Sequence, residues 1–524
     1  MKHINLLDCT LRDGGYINNW EFGINSIRGI VNKLEQTGIE VIELGFLKGD
    51  VYDENKSIFP STESFKNIIK EKRNNVMYVG MADLSNPLPI ERYEKCDGSS
   101  IDGVRVIFKK EKINDAYEYC KKIKDLGYKL FVNFVSTNQY SDEEFKNGIE
   151  KFSKLNPTGI SIVDTFGTIK RKTFIHLAEI ANKYLPDNIM LCYHAHNNLQ
   201  QAFGNAEALI DMNLSRDILI DACVFGMGRG AGNLSLELFA DYLNEYCNKK
   251  YQIAPMLEIM DKYLDGFYKT KFWGYSLPLY LSASLGCHPN YAIYLAEKNT
   301  LPVKAFDELL RSISDVDKIQ FSKEKAEMYY KKYMENYLDD KVTIDYLTTV
   351  FKNKKVLLLA PGKSIKENYN LICNEIKKCD ITLAVNFYEI GFNIDYVFSS
   401  NMKHHELIDD HGNSKMIVTS NLDSLNGDEY IVNYSSYLSE NNEILDNSGL
   451  MAIRLLISLG VLEINIAGMD GFSSDNENNY YIKNLISDHS KDAGLRNSLI
   501  KEEIDRLKNN IKIIFITKSL YSDK

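Results

Sequence analysis

Between residues 4 and 228 the chain repeats one rhythm: a short apolar, β-rich run, a loop, then a longer amphipathic stretch. The runs are INLLDCT (4–10), IEVIELGF (39–46), VMYVGMA (76–82), GVRVIF (103–108), KLFVNFV (129–135), GISIVDT (159–165), IMLCYHA (189–195) and ILIDACVFGMG (218–228). They recur about every 25–35 residues, the spacing of successive strand–helix units. Eight such units predict a closed (β/α)8 TIM barrel with its chemistry at the C-terminal strand ends. An open, doubly wound sheet is the alternative. From about residue 250 to 345 the period becomes helical. In MLEIMDKYLDGFYKTKF, PLYLSASLG, PNYAIYLAEK and KEKAEMYYKKYMENYLDD the apolar residues recur at helical spacing. This segment predicts an appendage packed on the barrel or on a partner subunit. A second strand–helix alternation begins near Lys354, with VLLLAPG, ITLAVNF, YVFSSN, MIVTSN, YIVNYSS, EINIAGMDGF and IKIIFIT as its strands. The expected organisation is α/β: a barrel over 1–248, a helical appendage over 249–350 and a Rossmann-like domain over 351–524.

Composition sharpens this picture only a little. A chain of 524 residues exceeds one hydrophobic core. With 44% apolar and 26% charged residues it has a globular profile. A net charge of −10 argues against a broad nucleic-acid footprint, which is normally basic. The nine cysteines are odd in number, scattered and without a CxxC pair, so a reduced, cytoplasmic setting is expected. The N-terminus reads as a strand and loop, not as a signal peptide. No apolar run approaches the roughly 20 residues of a membrane span.

Three segments carry candidate chemistry. In LLDCTLRDGGY (6–16) a charged Arg12–Asp13 pair precedes two glycines at the end of the first strand. Taken alone it reads equally as a surface arginine beside a helix-capping aspartate. In CYHAHNN (192–198), His194 and His196 alternate along a strand, so both imidazoles face one side and can share one ion. They close the seventh predicted strand, on the same rim as Asp13. A carboxylate and two imidazoles suit Mn²⁺, Mg²⁺, Co²⁺ or Zn²⁺ and leave positions for a bidentate 2-oxo acid. In GMGRGAGNLSLE (226–237) the glycines permit a tight turn, and Asn233 can reach the metal or its water. An ordinary loop before a helix is the plainer reading of that stretch.

Together DCTLRDGG, the HxH of HAHNN and the GMGxGAGN loop resemble, in order and spacing, the metal-dependent aldolase–lyase superfamily of HMG-CoA lyase, isopropylmalate synthase and 4-hydroxy-2-oxovalerate aldolase. VRVIF (104–108) and VDTFG (163–167) point to the last branch. The resemblance covers roughly residues 1 to 300. It implies an enzyme that makes or cleaves a carbon–carbon bond through a pyruvate-type enolate, with a 2-oxo acid and an aldehyde as substrates. Asp13, His194 and His196 become the metal ligands, and Arg12 the holder of the enolate oxygen. Asn233 matches a position that ligates metal in some members, and Glu43 and Arg105 stand where substrate contacts are expected. Tyr16 replaces the acid/base histidine of the aldolase branch, and a phenol (pKa about 10) is a poorer base at neutral pH. His288 and Tyr291, in GCHPNYA, are the other candidates. Members commonly dimerise, so a homodimer or higher homo-oligomer is expected.

Over residues 354 to 524, APGKSI (360–365), AVNFYE (384–389), NSGLMAIRLLISLGVLEINIAGMDGF (447–472) and DHSKDA (488–493) resemble bacterial lipooligosaccharide sialyltransferases. That likeness implies a CMP-sugar cradle of Lys363, Ser364, Asn386, Ser448, Gly449, Asp470 and Tyr480 or Tyr481, with His489 as general base. Pro361-Gly362-Lys363 and Phe472 depart from the family's pattern. The domain therefore reads either as a nucleotide-sugar binder without transfer or as structural. The alternative for the whole protein is a bifunctional surface-polysaccharide enzyme with a CMP-sugar-dependent glycosyltransferase at its C-terminal end.

Overall fold

A computed structural model describes residues 3–335, 338–408, 411–422, 427–475, 478–482, 485 and 492–522. The chain divides into two compact units, Met1–Asn290 and Tyr291–Lys524. Both are α/β. The helical stretch expected as a separate appendage is shared between them. Ala254–Ile259, Asp265–Thr270 and Leu277–Ser284 belong to the first unit, and the helices from Val303 onward to the second.

In the first unit all eight predicted strands form: β1 (Ile4–Asp8), β2 (Val41–Leu47), β3 (Met77–Asp83), β4 (Gly103–Phe108), β5 (Lys129–Phe134), β6 (Gly159–Asp164), β7 (Met190–Ala195) and β8 (Ile218–Ala222). Each pairs in parallel with the next, and β8 returns to β1, closing a TIM barrel. The strands read as continuous apolar runs because a parallel strand inside a ring of helices is buried on both faces. The eighth run is cut short at Ala222, because Val224–Gly226 turns as a 3₁₀ helix.

Alternation along the strands sets the interior. Leu7, Val41, Val79, Phe131, Cys192 and Leu219 belong to one apolar cluster. Two residues further on, the same inward face presents Cys9, Glu43, Met81, Asn133, His194 and Asp221. The barrel thus carries a polar tier above an apolar plug. Beside Glu43 the β2–β3 register shifts. Gly45 sits in that shift at φ 152°, and a Cβ there would overlap the Ser57 carbonyl oxygen.

In the second unit all seven predicted strands form: β9 (Lys355–Leu359), β10 (Ile381–Val385), β11 (Tyr396–Ser399), β12 (Lys415–Thr419), β13 (Tyr430–Val432), β14 (Glu463–Ala467) and β15 (Lys512–Phe515). They make one parallel sheet in the order β13-β12-β11-β10-β9-β14-β15. The order reverses between β9 and β14, and such a switch point opens a crevice beyond the C-terminal strand ends. Among the described residues no helix is long and apolar enough to cross a membrane.

Candidate metal centre and active site

Asp13 ends a one-turn helix, Thr10–Asp13, that follows β1 directly, and its side chain is fully buried. His194 lies on β7, and His196 just beyond it bridges to Asn233 of the glycine loop. His194 Nε2 is 3.1 Å and His196 Nε2 3.9 Å from Asp13 Oδ2. The two rings stand at 90° with centroids 5.4 Å apart. One potential ligand atom from each of the three lies within 4.8 Å of the others. Sequence spacing alone placed them on one rim, and the fold brings them into one cluster.

The electrostatics suit a cation. Burial would raise the Asp13 pKa, but Arg12 and the two imidazoles outweigh it and hold the carboxylate ionised, well below its usual range. Burial pushes His196 down to about 4, leaving the ring neutral with a lone pair to give. Asp13 Oδ1, His196 Nδ1 and Asn233 Oδ1 are buried without a hydrogen-bond partner among the described residues. Buried polar atoms are rarely left so. His194 differs, because Asp13 and Asp221 flank its two nitrogens and hold its pKa well above the usual value, so a bound ion would replace the proton on Nε2. With that exchange, a carboxylate and two imidazoles match a divalent ion. A second grouping, Cys9 with His194 and Asp221, is less suited. Burial and the neighbouring Cys223 thiol, 3.4 Å away, keep the Cys9 thiol protonated.

A chain of charges supports this cluster from below. Arg12 donates through Nη1 to Asp13 (2.6 Å) and through Nε to Glu43 (2.7 Å). Arg105, 1% exposed, pairs with Glu43 at 3.1 Å and with Asp221. Asp221 lies 3.0 Å from His194 Nδ1. Glu43 and Arg105 therefore sit inside the barrel, holding Arg12 and Asp221. Asp221 is a candidate positioning residue that the sequence did not point to. Its signal was a lone carboxylate inside the apolar run ILIDACV.

At the mouth, Tyr16 packs edge-on against Trp20 and beneath the Arg229 guanidinium, whose carbon is 5.7 Å from the Tyr16 ring centroid. Arg229 contacts His288 Nε2 at 2.6 Å. Burial, with Arg229 and Lys109 nearby, holds the His288 pKa down at about 3. Burial and Asp13 push the Tyr16 phenol above its ordinary value, so at neutral pH it is a proton donor and not a base. Tyr16, Arg229 and His288 thus form one group. Tyr291 lies in the second unit, its ring against Phe321 and its hydroxyl donating to the Gln320 carbonyl at 3.3 Å.

In the second unit, Asn386, Ser448, Gly449, Asp470 and Tyr480 line one crevice at the switch point. Ser364 donates its backbone N–H to Asp470 at 2.8 Å, and Lys363 donates to Asn478 at 2.5 Å. The Tyr481 hydroxyl donates to Glu389 at 2.9 Å. His489 lies outside the described residues.

Fold and cluster define the first unit as a (β/α)8 barrel of the aldolase–lyase kind, with a candidate divalent-metal site at its mouth. Residues 3–259 match the family model described as HMGL-like. A 4-hydroxy-2-oxovalerate aldolase from Geobacillus genomosp. 3 is 24% identical over 294 residues, spanning 52% of this chain and 85% of that protein. An oxaloacetate decarboxylase from Mycobacterium tuberculosis is 23% identical over 239 residues, spanning 44% of this chain and 67% of that protein. The solved HMG-CoA lyase of Brucella melitensis aligns with 52% of this chain and 99% of its own, at 16% identity and a TM-score of 0.41.

Proposed function

We propose that the first unit is a divalent-metal-dependent aldolase or lyase that makes or cleaves a 4-hydroxy-2-oxo acid through a pyruvate-type enolate. The observation that carries this reading is the convergence of Asp13, His194 and His196 beside a buried Arg12. Asp13, His194 and His196 would hold the ion, and Asn233 offers a further oxygen. When bound, the ion supplies Lewis-acid polarisation of an oxo-acid carbonyl; Mn²⁺, Mg²⁺, Co²⁺ and Zn²⁺ all suit this donor set.

The chain's own residues supply the rest. Arg12 is fixed through Nε and Nη1, and its Nη2 has no protein acceptor among the described residues. That nitrogen is free to oppose charge developing on a substrate oxygen in a water-poor site. Tyr16, protonated and half-buried, supplies a hydroxyl that can donate to the same substrate. Relatives named for 4-hydroxy-2-oxovalerate and for oxaloacetate, both 2-oxo acids, favour that substrate class. The metal-loaded protein should exchange deuterium from solvent into the pyruvate methyl group. Asp13→Ala and His196→Ala should abolish the exchange. Exchange that survives thorough chelation rules the proposal out.

The switch-point crevice favours a second reading for the other unit, as a site for a phosphate-bearing ligand of the nucleotide-sugar class. Ser448 and Gly449 open the helix Ser448–Ser458 on its wall. Calorimetric titration of the full chain with CMP tests this reading.

A further inference from the structure

The helix Ser448–Ser458 begins at the crevice with Asn447 as its cap. The cap side chain accepts the Leu450 N–H at 3.0 Å, and its carbonyl accepts that of Met451 at 2.9 Å. The N–H groups of Ser448 and Gly449 remain at a positive helix end, where an anion is stabilised. A helix end alone does not make a site. The independent observation is His404, which lines the same crevice from the turn after β11.

His404 is only 5% exposed, and neither ring nitrogen has a hydrogen-bond partner among the described residues. The charged residues around the crevice are already engaged. Lys298 pairs with Glu327 at 2.8 Å and Arg496 with Asp492 at 2.5 Å. Asp470 accepts from Ser364, and Asp446 from Tyr330. Burial, with Lys403 beside it, holds the His404 ring at a pKa of about 4. The imidazole is therefore neutral, with one donor and one acceptor to offer. Such a ring recognises a hydroxyl better than it recognises a charge.

We propose that His404 is a specificity-determining contact of the second unit, hydrogen-bonding a hydroxyl of a ligand whose phosphate sits at the Ser448–Gly449 helix end. The inference rests on reading the crevice as a phosphate-ligand site and adds the residue that distinguishes a phosphorylated sugar from bare phosphate. Nucleotides and simple sugar phosphates share this chemistry.

The test is calorimetry on the full chain with CMP, ribose 5-phosphate and inorganic phosphate. CMP binding without ribose 5-phosphate binding identifies a nucleotide site, and the reverse a sugar-phosphate site. In His404→Ala the affinity for the sugar-bearing ligand should fall about tenfold, while that for inorganic phosphate is unchanged. His404→Gln, which restores a donor and an acceptor, should recover part of the loss. Equal loss for both ligands means a structural role for the ring, and no loss means no contact; either overturns the assignment of His404. If wild-type protein binds none of the three, the reading of the crevice itself fails, and the assignment with it.

Discussion

His194 Nδ1 lies 3.0 Å from Asp221 Oδ2, between adjacent strands inside the barrel. This contact fixes which ring nitrogen faces Asp13, since an imidazole donating to a carboxylate presents its other nitrogen as the ligand. Arg105 anchors Asp221 in turn. Asp221→Asn should therefore weaken metal binding by about 10- to 100-fold while the barrel stays folded. Metal titration monitored by calorimetry measures the effect. Wild-type affinity in the variant would show that His194 needs no such support.

Much of this was legible in the sequence, for identifiable reasons. Most of the strands were readable because parallel strands buried on both faces leave unbroken apolar runs, while the edge strands Tyr430–Val432 and Lys512–Phe515 are only partly buried. His194 and His196 were readable because alternation along one strand is a local property. Asp221 was not, because its partners Arg105 and His194 lie 116 and 27 residues away. The Arg229–His288 contact spans 59 residues and joins two loops that no periodicity connects. The limit of the first unit near Asn290 was equally hidden, since an apolar helix face does not reveal which core it serves. Glu43 and Arg105, expected as substrate contacts, are instead buried and paired inside the barrel, and only that pairing shows what each holds.

Tyr16 makes a pointed comparison possible. Its phenol stays protonated at neutral pH because burial and Asp13 both oppose the phenolate. Tyr16→His would introduce at the same place an imidazole that burial and Arg229 keep neutral, and so a base at neutral pH where the phenol is not. Pyruvate-methyl exchange at pH 8 should rise about tenfold, with a new inflection on the acid limb of the profile. A variant exchanging no faster than wild type, with no inflection, would place the base elsewhere. Tyr16→Phe should leave stability within about 0.5 kcal/mol, because the ring contacts with Trp20 and Phe46 persist.

Arg216 is a structural counterpart to these site residues. It is 3% exposed and donates to the carbonyls of Asn182 (2.9 Å), Leu185 (3.0 Å), Pro186 (2.8 Å) and Ile189 (3.2 Å). Its Nε also meets Asn182 Oδ1 at 2.7 Å. These bonds close the C-terminal end of the helix Arg171–Tyr184 and lead the chain into β7. A lysine ammonium has three donors on one atom and cannot match a planar fork, so several buried carbonyls lose their partner. Arg216→Lys should cost about 2–4 kcal/mol. Both tryptophans, Trp20 and Trp273, lie in the first unit, so urea unfolding followed by their fluorescence reads this loss directly. A midpoint unchanged from wild type would refute the argument.

The second unit should weaken on mild acidification because of His404. In the folded protein this ring binds a proton only near pH 4, whereas in the unfolded chain it does so near 6.5. Above pH 6.5 neither state is protonated, and the ring contributes no pH dependence. Between 6.5 and 4 only the unfolded state takes up the proton, so stability falls as pH falls, by roughly 1.4 kcal/mol per pH unit. From pH 7 to pH 5 the loss should be about 2 kcal/mol, and His404→Gln should abolish that part of the slope. Far-ultraviolet circular dichroism follows both units, and tryptophan fluorescence follows the first alone. The His404-dependent change must therefore appear in the dichroism and be missing from the fluorescence. An identical acid slope in wild type and His404→Gln would mean that the ring is protonated, or reached by water, in the folded state.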